Sequence, residues 1–172
     1  MKKSPSHQEP EAPSAGEVLF RARRWLRDRP DRLIGHGHPA GDFLHAYEWV
    51  VLAERPGFFR LDVHLPEHVK NPRGQLFGGF TPTYVDLVAL LTVRAGKDLS
   101  EWGSSWLATT NMRIDYFEPV TGPRFVIESE LRKERGRLRF VETRFLGHDD
   151  TLLVFALTTM REVPFTRALG DV

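Results

Sequence analysis

Hydrophobic and polar positions along the chain change period twice. Between residues 17 and 27, Val18, Leu19, Ala22, Trp25 and Leu26 recur at helical spacing opposite Arg21, Arg23, Arg24 and Arg27, and Asp28-Arg29-Pro30 ends the run. This predicts a short amphipathic N-terminal helix with a solvated arginine face. Residues 31–42 carry Gly35, Gly37, Pro39 and Gly41, the composition of a loop. Residues 43–54 read as a strand leading into the turn Arg55-Pro56-Gly57. Phe59, Leu61, Val63 and Leu65 then alternate with Arg60, Asp62 and His64, so a hairpin with one wet face is expected. After Pro72 the period lengthens: Phe80, Tyr84, Val85, Leu87, Val88, Leu90, Leu91 and Val93 cover nearly every side of a helix over 78–95, which ends at Arg94-Ala95-Gly96. Such a helix is expected to be buried all round. Four further strand-like runs, near 106–117, 124–133, 137–146 and 152–161, are separated by turn residues.

Strands, one central helix, then a meander define an α+β class. A curved antiparallel sheet of five or six strands wrapped around the helix, plus the short N-terminal helix, satisfies that order, because the helix covers the sheet face that must be dry. A hydrophobic content of 41% with 27% charge suits one domain of ordinary size, here 43–172, preceded by a helix and loop at 16–42. Residues 1–15 have almost nothing to bury and are expected to form a disordered leader.

Charge and composition narrow the chemistry. With 24 basic and 23 acidic residues there is no bulk polycation to hold nucleic acid or an anionic membrane, so neither partner is expected. The absence of cysteine removes thiolate nucleophiles and Cys-ligated metals. No apolar run approaches the ~18 residues of a spanning helix, and a cytoplasmic location is expected. His36 and His38 are one residue apart, but no third ligand is evident nearby, so no metal site is expected.

The stretch from Asn71 to Asp86 carries the candidate chemistry. Adjacent Gly78 and Gly79 at a helix start leave backbone N–H groups uncovered at the positive end of the dipole, a geometry able to hold a developing oxyanion; a tight turn or close helix packing asks for the same pair. Asp86 lies too far into the helix to be a cap, and its apolar neighbours Val85, Leu87, Val88 and Ala89 predict a buried carboxylate, either functional or tied to a backbone group or an arginine. Seven residues separate it from Gly79, which puts both on one helix face. Asn71 is a candidate to fix a carbonyl or a water, and Thr109 to orient an attacking water beside Asp86.

Asn71, Gly74, Gly78-Gly79 and Asp86, followed by Met112-Arg-Ile-Asp-Tyr-Phe-Glu-Pro119 and by Glu134-Arg-Gly-Arg137, resemble the hotdog-fold acyl-CoA thioesterases of the phenylacetate-degradation type. The likeness spans about residues 43 to 162. It implies a hotdog fold, hydrolysis of an acyl-CoA thioester, assembly as dimers or tetramers, and an active site at a subunit boundary. It also implies that Asp86 is nucleophile or general base, Gly78 with Gly79 the oxyanion donors, Asn71 the positioner and Thr109 the hydroxyl that orients water. No cofactor is implied beyond coenzyme A as part of the substrate. Where that family usually has His before the glycine pair, this chain has Phe77, which is then expected at the substrate. Arg132, Lys133, Arg135, Arg137 and Arg139 flank the Gly136 turn; the resemblance implies that some of them, Arg135, Arg137 and Arg139 first, hold the phosphates of coenzyme A, and a solvated hairpin tip is the competing account. Two other functions are compatible with the same pattern: a non-catalytic acyl-CoA or lipid-binding module, and a hydroxyacyl-thioester dehydratase, which would want the missing histidine. Phe80, Tyr84, Trp102, Trp106 and Phe117 are candidates to line the acyl pocket.

Overall fold

Alternation at Phe59, Leu61 and Val63 turns one face of a strand to the core, and the computed structural model continues this pattern through six strands packed on one long helix. The structure describes residues 16, 17, 23, 25–97 and 105–164. The strands are β1 (Val50–Arg55), β2 (Phe58–His64), β3 (Ser105–Tyr116), β4 (Arg124–Arg135), β5 (Leu138–Leu146) and β6 (Leu152–Pro164). They form one antiparallel sheet in the order β1-β2-β4-β5-β6-β3, so β1 and β3 are its edges. A short helix α1 (Pro39–Phe43) precedes the sheet, and the central helix α2 (Thr81–Arg94) lies between β2 and β3 in the chain.

The core sits between α2 and the concave face of the sheet, where Leu61, Val63, Phe125, Ile127, Phe145 and Ala156 meet Tyr84, Val85 and Val88. Trp49 is wholly buried and stacks on Tyr84, with ring centroids 5.4 Å apart and planes within 3°. Leu33, Ile34, Leu44 and Ala46 join the same core, and Val51 N–H donates to the Asp31 carbonyl, so the segment before β1 packs as part of this body. The central helix ends where Gly96 takes a positive φ of 74°; a Cβ there would come within 3.0 Å of Pro56 in the β1–β2 turn.

Three expectations are corrected. Residues 43–49 are not strand: Phe43 closes α1 and Ala46–Glu48 form a 3₁₀ turn, so β1 begins only at Val50. The reason is local. Pro39 sits in the first turn with its fixed φ, and the His38 side chain accepts from the Gly41 N–H, which starts a helix inside the supposed loop. Next, α2 is not covered on every side; Pro82 and Asp86 are exposed, and Thr83 and Leu90 half-buried, along one stripe that the sheet does not reach. Finally, of the helix expected at 17–27, Gly16, Glu17 and Arg23 are helical, Trp25 has already left it, and 18–22 and 24 lie outside the described residues, as does the leader at 1–15.

Edge strand β3 carries a bulge. Thr109 pairs with Met160 and Asn111 with Thr159, leaving Thr110 as one extra residue, whose hydroxyl donates to the Thr159 carbonyl. Among the described residues no helix is long and apolar enough to cross a membrane.

Candidate active site

Asp86 projects from the uncovered stripe of α2, and Thr109 on β3 faces it: the Thr109 hydroxyl donates a hydrogen bond to Asp86 Oδ1. The expected burial of Asp86 is thus corrected. Its sequence neighbours Val85, Leu87 and Val88 do point into the core, but the carboxylate itself stands on the helix side beyond the sheet edge. Among the described residues it makes no ion pair. It opens onto a cleft of about 590 Å³ whose walls include Trp25, His38, Leu90, Arg94, Trp106, Met112 and Met160. Anchoring one oxygen by a single hydroxyl leaves Oδ2 and the outer lone pairs directed at whatever fills the cleft.

Gly78 and Gly79 occupy a 3₁₀ turn, Gly78–Phe80, that leads into α2. Phe80 N–H bonds back to Phe77 O and Thr81 N–H to Gly78 O; among the described residues the Gly78 and Gly79 N–H groups have no acceptor. The Tyr116 hydroxyl also donates to Gly78 O at 3.0 Å. Because a trans peptide sets C=O and N–H on opposite sides, holding this carbonyl fixes the direction of the Gly79 N–H. The Phe77 ring, 52% exposed, folds over the turn: a Cβ on Gly79 would lie 2.7 Å from its Cε1, so close approach of that ring needs the glycine. One geometric expectation changes here. Seven residues at ~1.5 Å rise place Gly79 and Asp86 ~10 Å apart along the axis, too far for both to touch one carbonyl within a single chain.

Asn71 lies seven residues beyond the end of β2. Its Oδ1 accepts from the Arg73 and Gln75 N–H groups at 2.9 and 3.2 Å, and its Nδ2 donates to Gln75 Oε1. These bonds hold the loop before the glycine pair in a tight Asx turn.

The basic cluster divides. Arg139, its side chain 12% exposed, bridges Glu134 and Glu162 at 2.8 and 2.6 Å, and Arg132 bridges Glu130 and Glu142. Lys133, Arg135 and Arg137 are exposed and, among the described residues, have no carboxylate partner. Arg139→Ala is therefore expected to cost about 2 kcal/mol in urea unfolding, discounted from a fully buried pair because both glutamates are partly exposed. Arg135→Ala with Arg137→Ala is expected to leave that midpoint in place. Equal midpoints for all these variants would overturn the division.

The sequence weighed His38 only as a metal ligand, yet it stands in the wall of the cleft. Burial lowers its pKa, opposed by Asp42 and Asp86 and assisted by Arg94. The ordinary value is 6.5, so in the window just below it the unfolded chain binds the proton more readily than the folded one. Stability should fall as pH drops through that window. His38→Asn keeps an acceptor for Gly41 N–H but cannot titrate, and thermal melts of this variant between pH 7 and 5 should show the smaller loss. Arg94, pulled down to about 10 by burial, stays cationic at neutral pH and gives the cleft a positive wall. Trp106 lines the cleft as a candidate acyl contact, Phe80 packs at the edge of the core, Tyr84 is wholly internal, and Trp102 lies outside the described residues.

This arrangement of sheet and helix is the hotdog fold. The chain is similar in structure to a conserved protein of Pseudomonas aeruginosa, at 14% identity and a TM-score of 0.61, over 74% of this chain and 95% of the other. A phenylacetic acid degradation-related protein of Ralstonia eutropha is similar at 20% identity and a TM-score of 0.60, over 73% and 91%. A hypothetical thioesterase protein of Streptococcus pneumoniae solved with coenzyme A is similar at 15% identity and a TM-score of 0.58, over 68% and 87%. No protein-family model matches the chain, and no curated protein does so significantly.

Proposed function

We propose that this protein hydrolyses acyl-CoA thioesters, with Asp86 as general base or nucleophile and the Gly78 and Gly79 N–H groups as the oxyanion hole. The observation that carries this is the Asp86 carboxylate, held by Thr109 on the one uncovered stripe of the central helix and open to a largely apolar cleft. The same fold in proteins described as thioesterases, one of them with coenzyme A, supports the reaction class.

In the general-base form, a water in contact with Asp86 gives up its proton to the carboxylate as its oxygen bonds the thioester carbon. The carbonyl oxygen gains negative charge against the glycine N–H groups. When the tetrahedral species collapses, the C–S bond breaks and coenzyme A leaves as a thiolate that takes up a proton. In the nucleophilic form, Asp86 bonds the carbon itself, the C–S bond breaks to release coenzyme A as a thiolate that takes up a proton, and water cleaves the resulting anhydride to the free acid and the Asp86 carboxylate. Because the two parts of the site are ~10 Å apart along one helix, they come from two copies: the carboxylate of one faces the glycine turn of the other. Exposed Phe77, Tyr116 and Phe117 near that turn supply apolar surface for such an assembly. Arg135 and Arg137, which have no carboxylate partner among the described residues, are the candidates to meet the phosphates of coenzyme A.

A screen of acetyl, medium-chain, long-chain and aryl CoA esters for thiol release tests this reading, and turnover of at least one class is expected. The Phe77 ring over Gly79 favours one alternative, a module that binds acyl-CoA without cleaving it. Saturable binding with no thiol release from any ester would establish that alternative instead.

A further inference from the structure

Away from the cleft, on the outer face of the sheet, two side chains of one turn meet a third from a strand. His64 ends β2 on the face opposite the core, beside Asp62, while His45 and Glu48 belong to the turn between α1 and β1. One ligand atom from each of His45, Glu48 and His64 lies within 4.8 Å of the other two. The His64 Nδ1 to Glu48 Oε2 separation is 3.6 Å. Two ligands at 2.0–2.1 Å from a tetrahedral ion stand about 3.4 Å apart, so this edge already has the right length. His64 Nδ1 is also a buried nitrogen with no hydrogen-bond partner among the described residues.

The backbone holds the ligands in place. His45 adopts a left-handed conformation, φ 53°, rare for a residue with a side chain, and its ring comes to lie nearly parallel to that of His64 at 6.1 Å. The turn is clamped at both ends: His68 Nε2 hydrogen-bonds the Phe43 carbonyl at 2.6 Å, and Arg32 donates to the Glu48 carbonyl at 2.7 Å. Two imidazoles and one carboxylate form a donor set for a borderline divalent ion such as zinc, and a poor one for calcium or magnesium, which want more oxygens.

We infer that His45, Glu48 and His64 form a transition-metal site, with the fourth position open to water, that fastens the turn before β1 to the end of β2. This goes beyond the hydrolase reading and does not depend on it. The test uses the full chain without an affinity tag. Zinc titrated calorimetrically is expected to bind at one ion per chain, unaffected by excess magnesium, and to raise the melting temperature by several degrees. His45→Ala, His64→Asn and Glu48→Gln should each weaken binding by at least about tenfold. Glu48→Gln, a change at an exposed side chain, should melt like the parent when metal-free and lose the zinc-dependent rise. Absence of saturable zinc binding, undiminished binding in these three variants, or binding that is lost only in His36→Ala would each overturn the assignment.

Discussion

Replacing Asp86 by Asn is expected to lower turnover of any acyl-CoA ester that the chain hydrolyses by about 10²- to 10⁴-fold, with little change in melting temperature. The side chain keeps its shape and can still accept from Thr109, so the fold has no reason to respond. What disappears is the basic oxygen that takes a proton or attacks carbon. Thr109→Ala frees the carboxylate without removing it and should cost far less, roughly tenfold, mainly in kcat. Thiol release measured at saturating ester, beside thermal melts of all three proteins, checks both statements. Full activity in Asp86→Asn would remove this residue from the chemistry, whatever the fold.

Trp49→Ala should produce the largest loss of stability, about 3–5 kcal/mol, corresponding to roughly 10 °C in melting temperature. Trp49 has no exposed surface, and its parallel stack on Tyr84 joins the segment before β1 to the central helix. Among the described residues its Nε1–H and the Tyr84 hydroxyl are both buried without a hydrogen-bond partner, so the substitution forfeits none there. The loss is one of packing, and Trp49→Phe should restore much of it. A Trp49→Ala midpoint within 1 kcal/mol of the parent, a bound taken from typical surface substitutions, would contradict this account.

How much of this was readable from sequence depends on the range of the interactions involved. The β2 alternation, the Pro56-Gly57 and Gly136 turns and the apolar helix ended by Gly96 are local signals, and the structure follows them closely. At 43–49 local signals conflict: Phe43, Leu44 and Ala46 suit strand or helix, and the decision lies with His38 and Pro39, whose cap and N1 chemistry the glycine-rich surroundings obscured. The exposure of Asp86 was harder to see. Pro82, Thr83 and Asp86 share a polar edge of α2, but whether it meets water depends on where the sheet stops, which is set by β3 pairing with β6 and not with β1. His38 beside Asp86, and His64 beside His45, are products of the same long-range closure.

The extra residue at Thr110 carries a lesson for anyone who edits this chain. Leu107 and Thr109 point toward α2 on one side of the bulge, while Met112, Ile114 and Tyr116 do so on the other; an uninterrupted strand would send one of these groups outward. Deleting Thr110 would leave 107, 109, 112, 114 and 116 in plain alternation on the α2 face with their β6 partners unchanged, whereas straightening the bulge without removing a residue would turn half the strand inside out and separate the hydroxyl at position 109 from the phenol at 116 that steadies the glycine turn. The bulge, and not the length of the strand, is the parity key of this edge.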